Sequence, residues 1–300
     1  MRNAFAKKIT ELAKTNKKII LLSGDIGNKL FDDFKRNCKN QFYNCGVAEN
    51  NMVGVAAGLS KLGFIPFVYT ITPFLVSRSF EQIKLDICYP NLPVNIVGTG
   101  AGLSYARLGA THHSLDDISL MKSIPNMRVL CPGDPIEVEQ LVSGVIKSKK
   151  PTYIRLGKKG EPTINPINKL IKIDKINVIK EGGKILIVSI GNMLGVASEI
   201  NQILEKQRKL STLISFHTFE EGSLKEFKNL INKFKIIIFL EEHFYEGSIS
   251  NYLINTFGSE LRNKKIIHTN IKKDFYCGLG EQDQARKKLK ISASQIVKKL

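Results

Sequence analysis

Short, unbroken apolar runs set the fold class of this chain. They include Lys18-Ile19-Ile20-Leu21-Leu22-Ser23, Ile185-Leu186-Ile187-Val188-Ser189, Ser211-Thr212-Leu213-Ile214-Ser215 and Ile236-Ile237-Ile238-Phe239-Leu240. A run of this length without polar alternation offers no face to water. It fits a parallel strand covered on both sides. Between such runs lie stretches with helical spacing, such as Phe5, Ile9, Leu12 and Ala13. This alternation predicts an α/β protein, with open, doubly wound sheets carrying helices on both faces. The 300 residues suffice for two such units in succession. The segment 157–180 carries Gly157, Gly160, Pro162, Pro166 and several Lys and Asn, and reads as the connection. The units are expected at 1–160 and 181–300, with the linker at 161–180.

One stretch concentrates the candidate chemistry: Gly46-Val47-Ala48-Glu49-Asn50-Asn51-Met52-Val53-Gly54-Val55-Ala56-Ala57-Gly58-Leu59. It reads as a buried helix, packed closely through Gly54 and Gly58, each of which weakens a helix by roughly 1 kcal/mol. Glu49 then enters a protein interior from the first turn. A buried carboxyl group must find a partner or stay protonated, which readies it for proton chemistry. The plainer reading is a first-turn acid that favours the helix dipole.

Composition removes several function classes. No run of 18 apolar residues exists, so no membrane span is expected. The start, Met1-Arg2-Asn3-Ala4-Phe5-Ala6-Lys7-Lys8, has no apolar signal region. The five cysteines are odd in number, scattered and free of CxxC spacing, which fits a reducing cytoplasm. Net charge is +18, but the lysines are spread along the whole chain, often beside Asn and Ile. No basic stripe interleaved with aromatics marks a nucleic-acid surface, and an anionic substrate suits the positive field better.

Gly24-Asp25-Ile26-Gly27-Asn28 follows the first strand, where ligands collect in such sheets. It is neither GxGxxG nor a P-loop. The longest irregular segment runs from Gly98 through Gly100, Leu108, Gly109 and Thr111 to His112 and His113. Long loops inside compact domains are commonly functional. The adjacent histidines point apart on most backbones, so one polar contact to a substrate or cofactor suits them better than a shared metal. No GxSxG occurs, and the glycines at 98, 100 and 102 open no helix-forming run.

The order of these pieces resembles the thiamine-diphosphate enzymes of the transketolase group, in the half that carries the pyrimidine-binding and C-terminal domains. The resemblance rests on Asn44 to Met52 with Ala56-Ala57-Gly58-Leu59, on Gly109-Ala110-Thr111-His112-His113-Ser114 and on Ser123-Ile124-Pro125-Asn126-Met127. Pro132-Gly133-Asp134, Pro151 to Lys158 and Glu241-Glu242-His243 continue it over essentially the whole chain. It implies a pyrimidine-binding domain with a mostly parallel sheet, followed by a C-terminal domain with a mixed sheet. It also implies that Glu49 hydrogen-bonds a ring nitrogen of the cofactor's aminopyrimidine and promotes its imino form. Phe74 would pack on that ring, and His112 would contact donor and intermediate. His113 matches a doubled histidine of deoxyxylulose-phosphate synthases. Arg2 and Lys158 fall near positions where transketolases hold a substrate phosphate.

Two departures qualify this picture. Where the family has an Asp that reads a donor hydroxyl, this chain has Leu108. Where it has a substrate-facing histidine, this chain has Gly100, which would open space. A substrate other than the standard ketose phosphates is therefore expected, such as a deoxy, keto or nucleotide-linked sugar of cell-surface metabolism. The alternative is the beta half of a 2-oxo-acid decarboxylase or dehydrogenase, or an acyl-unit transferase with the same cofactor. The Gly-Asp-Gly motif through which the family binds diphosphate and Mg²⁺ is absent. The resemblance thus implies a split enzyme. A separate N-terminal subunit would hold Mg²⁺ and the diphosphate, in an α2β2 assembly.

Overall fold

In a computed structural model that describes residues 1–27, 29–269 and 271–300, the chain forms two sheets. The first contains β1 (Ile19–Ser23), β2 (Phe42–Asn44), β3 (Ile65–Ile71), β4 (Asn95–Thr99), β5 (Arg128–Leu130) and β6 (Thr152–Leu156). Its order is β2-β1-β3-β4-β6-β5 and every pairing is parallel. The second contains β7 (Asn177–Lys180), β8 (Ile185–Ser189), β9 (Ser211–Ser215), β10 (Ile236–Leu240) and β11 (Lys265–His268). Its order is β11-β10-β8-β9-β7, parallel except for the antiparallel edge strand β7.

The apolar runs behave as their composition requires. All five residues of β1 are buried. Ile20 and Leu22 pack with Met52, Val53 and Ala56 of the helix Glu49–Lys61, while Ile19 and Leu21 pack with Phe5 and Ile9 of the helix Arg2–Thr15. Alternate side chains thus enter opposite cores, and neither core could form without helices on both faces. The cluster under the helix Glu49–Lys61 continues through Leu186, Val188 and Phe216 of the second unit, so one apolar layer joins the two.

Two expectations need correction. Residues 177–180, expected in the linker, form β7, which is only partly buried at the sheet edge. The helix Glu49–Lys61 is not packed through its glycines. Gly58 is exposed, Gly54 is half-buried, and a Cβ added to either would meet nothing within 4 Å. Val55 beside them is 41% exposed. The helix buries one side and leaves a strip of small residues open. Asn28, the end of the Gly24 loop, lies outside the described residues; within that loop Asp25 accepts a 3.0 Å hydrogen bond from Asn44.

Strand order turns back between β1 and β3, which makes a crevice at the carboxyl ends of the strands. Phe74 follows β3, Gly100 to His113 follow β4, Lys158 follows β6, and Glu49 comes shortly after β2. The residues singled out by the sequence therefore leave the same edge of one sheet.

Candidate active site

Glu49 opens its helix and is 3% exposed. Its Oε2 accepts a 2.6 Å hydrogen bond from Arg78 Nη1. Arg78 in turn lies with Cζ 5.0 Å from the centroid of the Phe74 ring. Phe74 and Arg78 are four residues apart on adjoining turns, the spacing that brings side chains together on a helix. The Phe74 ring meets His112 edge to face at 5.1 Å, and His112 meets Tyr105 at 6.0 Å. Lys158 Nζ stands 5.0 Å from the Tyr105 centroid. One continuous wall runs from Glu49 through Arg78, Phe74, His112 and Tyr105 to Lys158.

The loop that carries His112 is closed at its base by reciprocal 3.0 Å backbone hydrogen bonds between Gly102 and Ser114. His112 is half-buried, and its Nδ1 shares a 2.9 Å hydrogen bond with Thr111 Oγ1. Burial, followed by the neighbouring charge of His113, lowers the His112 pKa from its ordinary value. The ring is therefore neutral at pH 7 and offers one donor and one acceptor nitrogen. His113 turns the other way. It is buried and bonds the Ala106 carbonyl at 3.0 Å, inside the loop. The structure does not bring it to the wall.

Gly100 and Leu108 differ from expectation. Gly100 opens no space. A Cβ there would sit 2.1 Å from Tyr105 Cε2, so the Tyr105 ring fills the volume that a side chain at position 100 would take. Leu108 is 52% exposed on a short turn at the tip of the loop. Arg2 has a buried Nε without a hydrogen-bond partner among the described residues. Burial raises the Tyr105 pKa, and the charge of the adjacent Arg2 guanidinium opposes that rise.

Beneath the loop lies a buried polar clamp that the sequence did not reveal. Arg155 on β6 is fully buried; its Nε donates to Asp117 Oδ2 at 2.8 Å, and Tyr153 Oη donates to the same oxygen at 2.6 Å. Arg155 Nη2 also donates to the carbonyls of Ser114 at 3.2 Å and Glu242 at 2.9 Å. Burial alone would raise the Asp117 pKa, but the Arg155 charge, with His243 and these hydrogen bonds, holds it below the usual carboxylate value. From the second unit, Glu242 accepts from the Leu103 N–H at 2.9 Å, Asn192 Nδ2 at 2.8 Å and Arg286 Nε at 2.5 Å. Gly102 must lack a side chain here, since a Cβ would lie 2.4 Å from Glu242 Oε2. The only sequence signals for the clamp are a lone arginine in an otherwise apolar strand and Glu241-Glu242 at a strand end.

A buried carboxylate beside an aromatic face suits a flat heteroaromatic ring that can carry a proton. The unpartnered Arg2 Nε, with Lys158 farther along, suits an anionic group. Among the described residues, no three or more His, Cys, Asp or Glu are grouped so as to hold a metal ion. The wall therefore suits the pyrimidine end of thiamine diphosphate.

Comparison with known proteins agrees with this geometry. Residues 1–162 match the family described as transketolase, pyrimidine binding domain, and residues 174–296 match transketolase, C-terminal domain. An apulose-4-phosphate transketolase subunit of Actinobacillus succinogenes is 30% identical over 88% of this chain and 85% of its own length. The 6-deoxy-6-sulfo-D-fructose transketolase subunit SqwH of a Clostridium species is 30% identical over 73% of this chain and 68% of its own length. A solved structure described as split gene transketolase, inactive beta4 tetramer, superposes with a TM-score of 0.86 at 29% identity, covering 99% of this chain and 95% of that one. By contrast, 1-deoxy-D-xylulose-5-phosphate synthase of Clostridium tetani, 29% identical over 91% of this chain, is matched over only 44% of its length. The chain belongs to the transketolase family, as a protein built of its pyrimidine-binding and C-terminal domains.

Proposed function

We propose that this chain is the C-terminal, beta-type subunit of a heteromeric, thiamine-diphosphate-dependent transketolase that moves a two-carbon ketol unit between sugars. The observation that carries the reading is the wall itself: a buried Glu49 and the Phe74 ring at one end, a neutral His112 between, and Arg2 and Lys158 at the other. The names of the relatives that are themselves transketolase subunits, and that of the split-gene structure, support the same division of labour.

When bound, thiamine diphosphate supplies the nucleophilic carbon and the electron sink that make and break the carbon–carbon bond next to a ketone. Glu49 holds a proton against the pyrimidine ring nitrogen. Arg78 keeps the carboxylate oriented by donating to Oε2, which leaves Oε1 for the ring. Phe74 packs on the ring face. His112 exchanges a proton or hydrogen bond with the donor's oxygen. Arg2 and Lys158 hold the substrate's anionic end, Lys158 as a point charge rather than a bidentate fork. A separate subunit carries the Gly-Asp-Gly motif and, with it, Mg²⁺ and the diphosphate, in an α2β2 complex of the cytoplasm.

The exposed Leu108 supports a donor without a hydroxyl to be read there, so the pair of sugars differs from the standard ketose phosphates. The test is reconstitution with the partner subunit, thiamine diphosphate and Mg²⁺, followed by a donor screen. Ketol transfer from a ketose or from hydroxypyruvate to an aldose is expected. Product from pyruvate alone would replace the transketolase reading with a 2-oxo-acid decarboxylase.

A further inference from the structure

Tyr105 lies at the centre of the wall yet has no role in the function just described. Its ring occupies the space over Gly100, edge-on to His112, with Lys158 above it. The backbone at Gly100 has φ +85°, a conformation other residues rarely adopt, so glycine and ring form one device. The side chain is half-buried.

What its hydroxyl can do follows from its neighbour. The Arg2 guanidinium lies close to the phenol, where its positive charge opposes the pKa rise that burial brings. A guanidinium only donates, so it cannot take up the phenol proton, which stays free for a ligand. The contrast within this chain is Tyr153, whose proton is taken up by Asp117 at 2.6 Å. Burial also keeps the Tyr105 phenol protonated at neutral pH.

We infer that Tyr105 determines substrate specificity, by donating its hydroxyl proton to a sugar oxygen that lies between His112 and the Arg2–Lys158 pair, beyond the reacting carbons. Gly100 gives the ring its place. The ligand class is a polyhydroxylated aldehyde or ketone with an anionic end. The inference rests on the transketolase reading for the identity of that ligand.

The test uses the complex reconstituted with its partner subunit and thiamine diphosphate. Two quantities are measured for wild type and Tyr105→Phe: calorimetric affinity for ribose 5-phosphate and 2-deoxyribose 5-phosphate, and the rate of hydroxypyruvate decarboxylation. Hydroxypyruvate has no hydroxyl beyond its two-carbon ketol unit. The phenylalanine keeps the ring and loses only the hydroxyl. Affinity for at least one sugar phosphate, and the KM measured with it, is expected to worsen about tenfold, with kcat and hydroxypyruvate turnover unchanged. Equal affinity in the two proteins would overturn the inference, as would wild type that binds neither sugar phosphate. An affinity difference in a complex that decarboxylates no hydroxypyruvate would uphold the Tyr105 contact and reject the transketolase reading. Gly100→Ala serves as a second variant. It should displace the ring and reproduce the loss of affinity, and full retention of affinity would contradict the shared device.

Discussion

Arg155→Met is the perturbation that most directly probes how the active-site loop is held. Methionine keeps the length of the side chain in the sheet but removes the donors to Asp117, Ser114 and Glu242. Asp117 would remain fully buried with Tyr153 as its hydrogen-bonding side chain. Removing one member of a buried ion pair costs about 3–5 kcal/mol, because the other charge stays without compensation. For a chain of this size that is a fall of roughly 10 °C in melting temperature. Arg155→Met/Asp117→Asn should recover part of the loss, since the stranded charge is gone. The pH dependence has a definite sign. In the native chain the folded Asp117 pKa is depressed, so its contribution is present above the unfolded value of about 3.9 and is lost as pH falls below it. In Arg155→Met burial dominates and raises the folded pKa. Protonation then relieves the buried charge, and the stability gap to wild type should narrow as pH falls from 7 towards 5. Thermal melts followed by circular dichroism at several pH values read all three effects. A single variant within about 1 kcal/mol of wild type, or a gap that widens on acidification, would refute this account of the clamp.

Other outcomes are expected. Glu49→Gln should reduce ketol transfer by about 10²–10⁴-fold while leaving melting and partner assembly unchanged, because its partner Arg78 is 46% exposed and the surface end of the pair adds little; unchanged turnover would take Glu49 out of the mechanism. His112 titrates below its ordinary value, so kcat/KM should fall only as pH drops below about 6.5, and His112→Asn should remove that acid limb from whatever activity remains. Glu242→Gln loses the charge opposite Arg286 and loosens the acceptor of the Leu103 N–H; amide exchange across 100–113 should accelerate, whereas unaltered exchange would deny the second unit its hold on the loop. Gly58→Ala should stabilise the isolated chain by up to about 1 kcal/mol, and a drop in melting temperature would mean that this face is packed in solution.

How far the sequence can be read depends on which physics acts locally. The strands β1, β8, β9 and β10 are legible because burial on both faces forces an unbroken apolar run. The strand β7 is not, because an antiparallel edge strand needs only partial burial and Asn177-Val178-Ile179-Lys180 looks like the Lys- and Asn-rich residues around it. Glu49, Phe74 and His112 reach one wall through their order after successive strands. Arg78 escapes a sequence reading although it stands four residues from Phe74, since an exposed arginine carries no burial signal. The small-residue positions mislead in opposite ways. Gly54 and Gly58 suggest tight contacts and face open space, while Gly100 suggests open space and is covered by Tyr105. A glycine reports that no side chain is tolerated or needed, and sequence alone does not say which.

The clamp also has a consequence in time. The hydrogen bond from Leu103 to Glu242 joins residues 139 apart, and Arg155 bridges a carbonyl 41 residues before it to one 87 after it. At about 5–20 residues per second, synthesis takes on the order of 10 s to reach Glu242 after Leu103 has been made. During that interval the first sheet can be complete while the loop bearing His112 has no floor. The cofactor wall is therefore finished only when the last strands of the chain have docked, and a ribosome-bound first half should have its sheet without a working site.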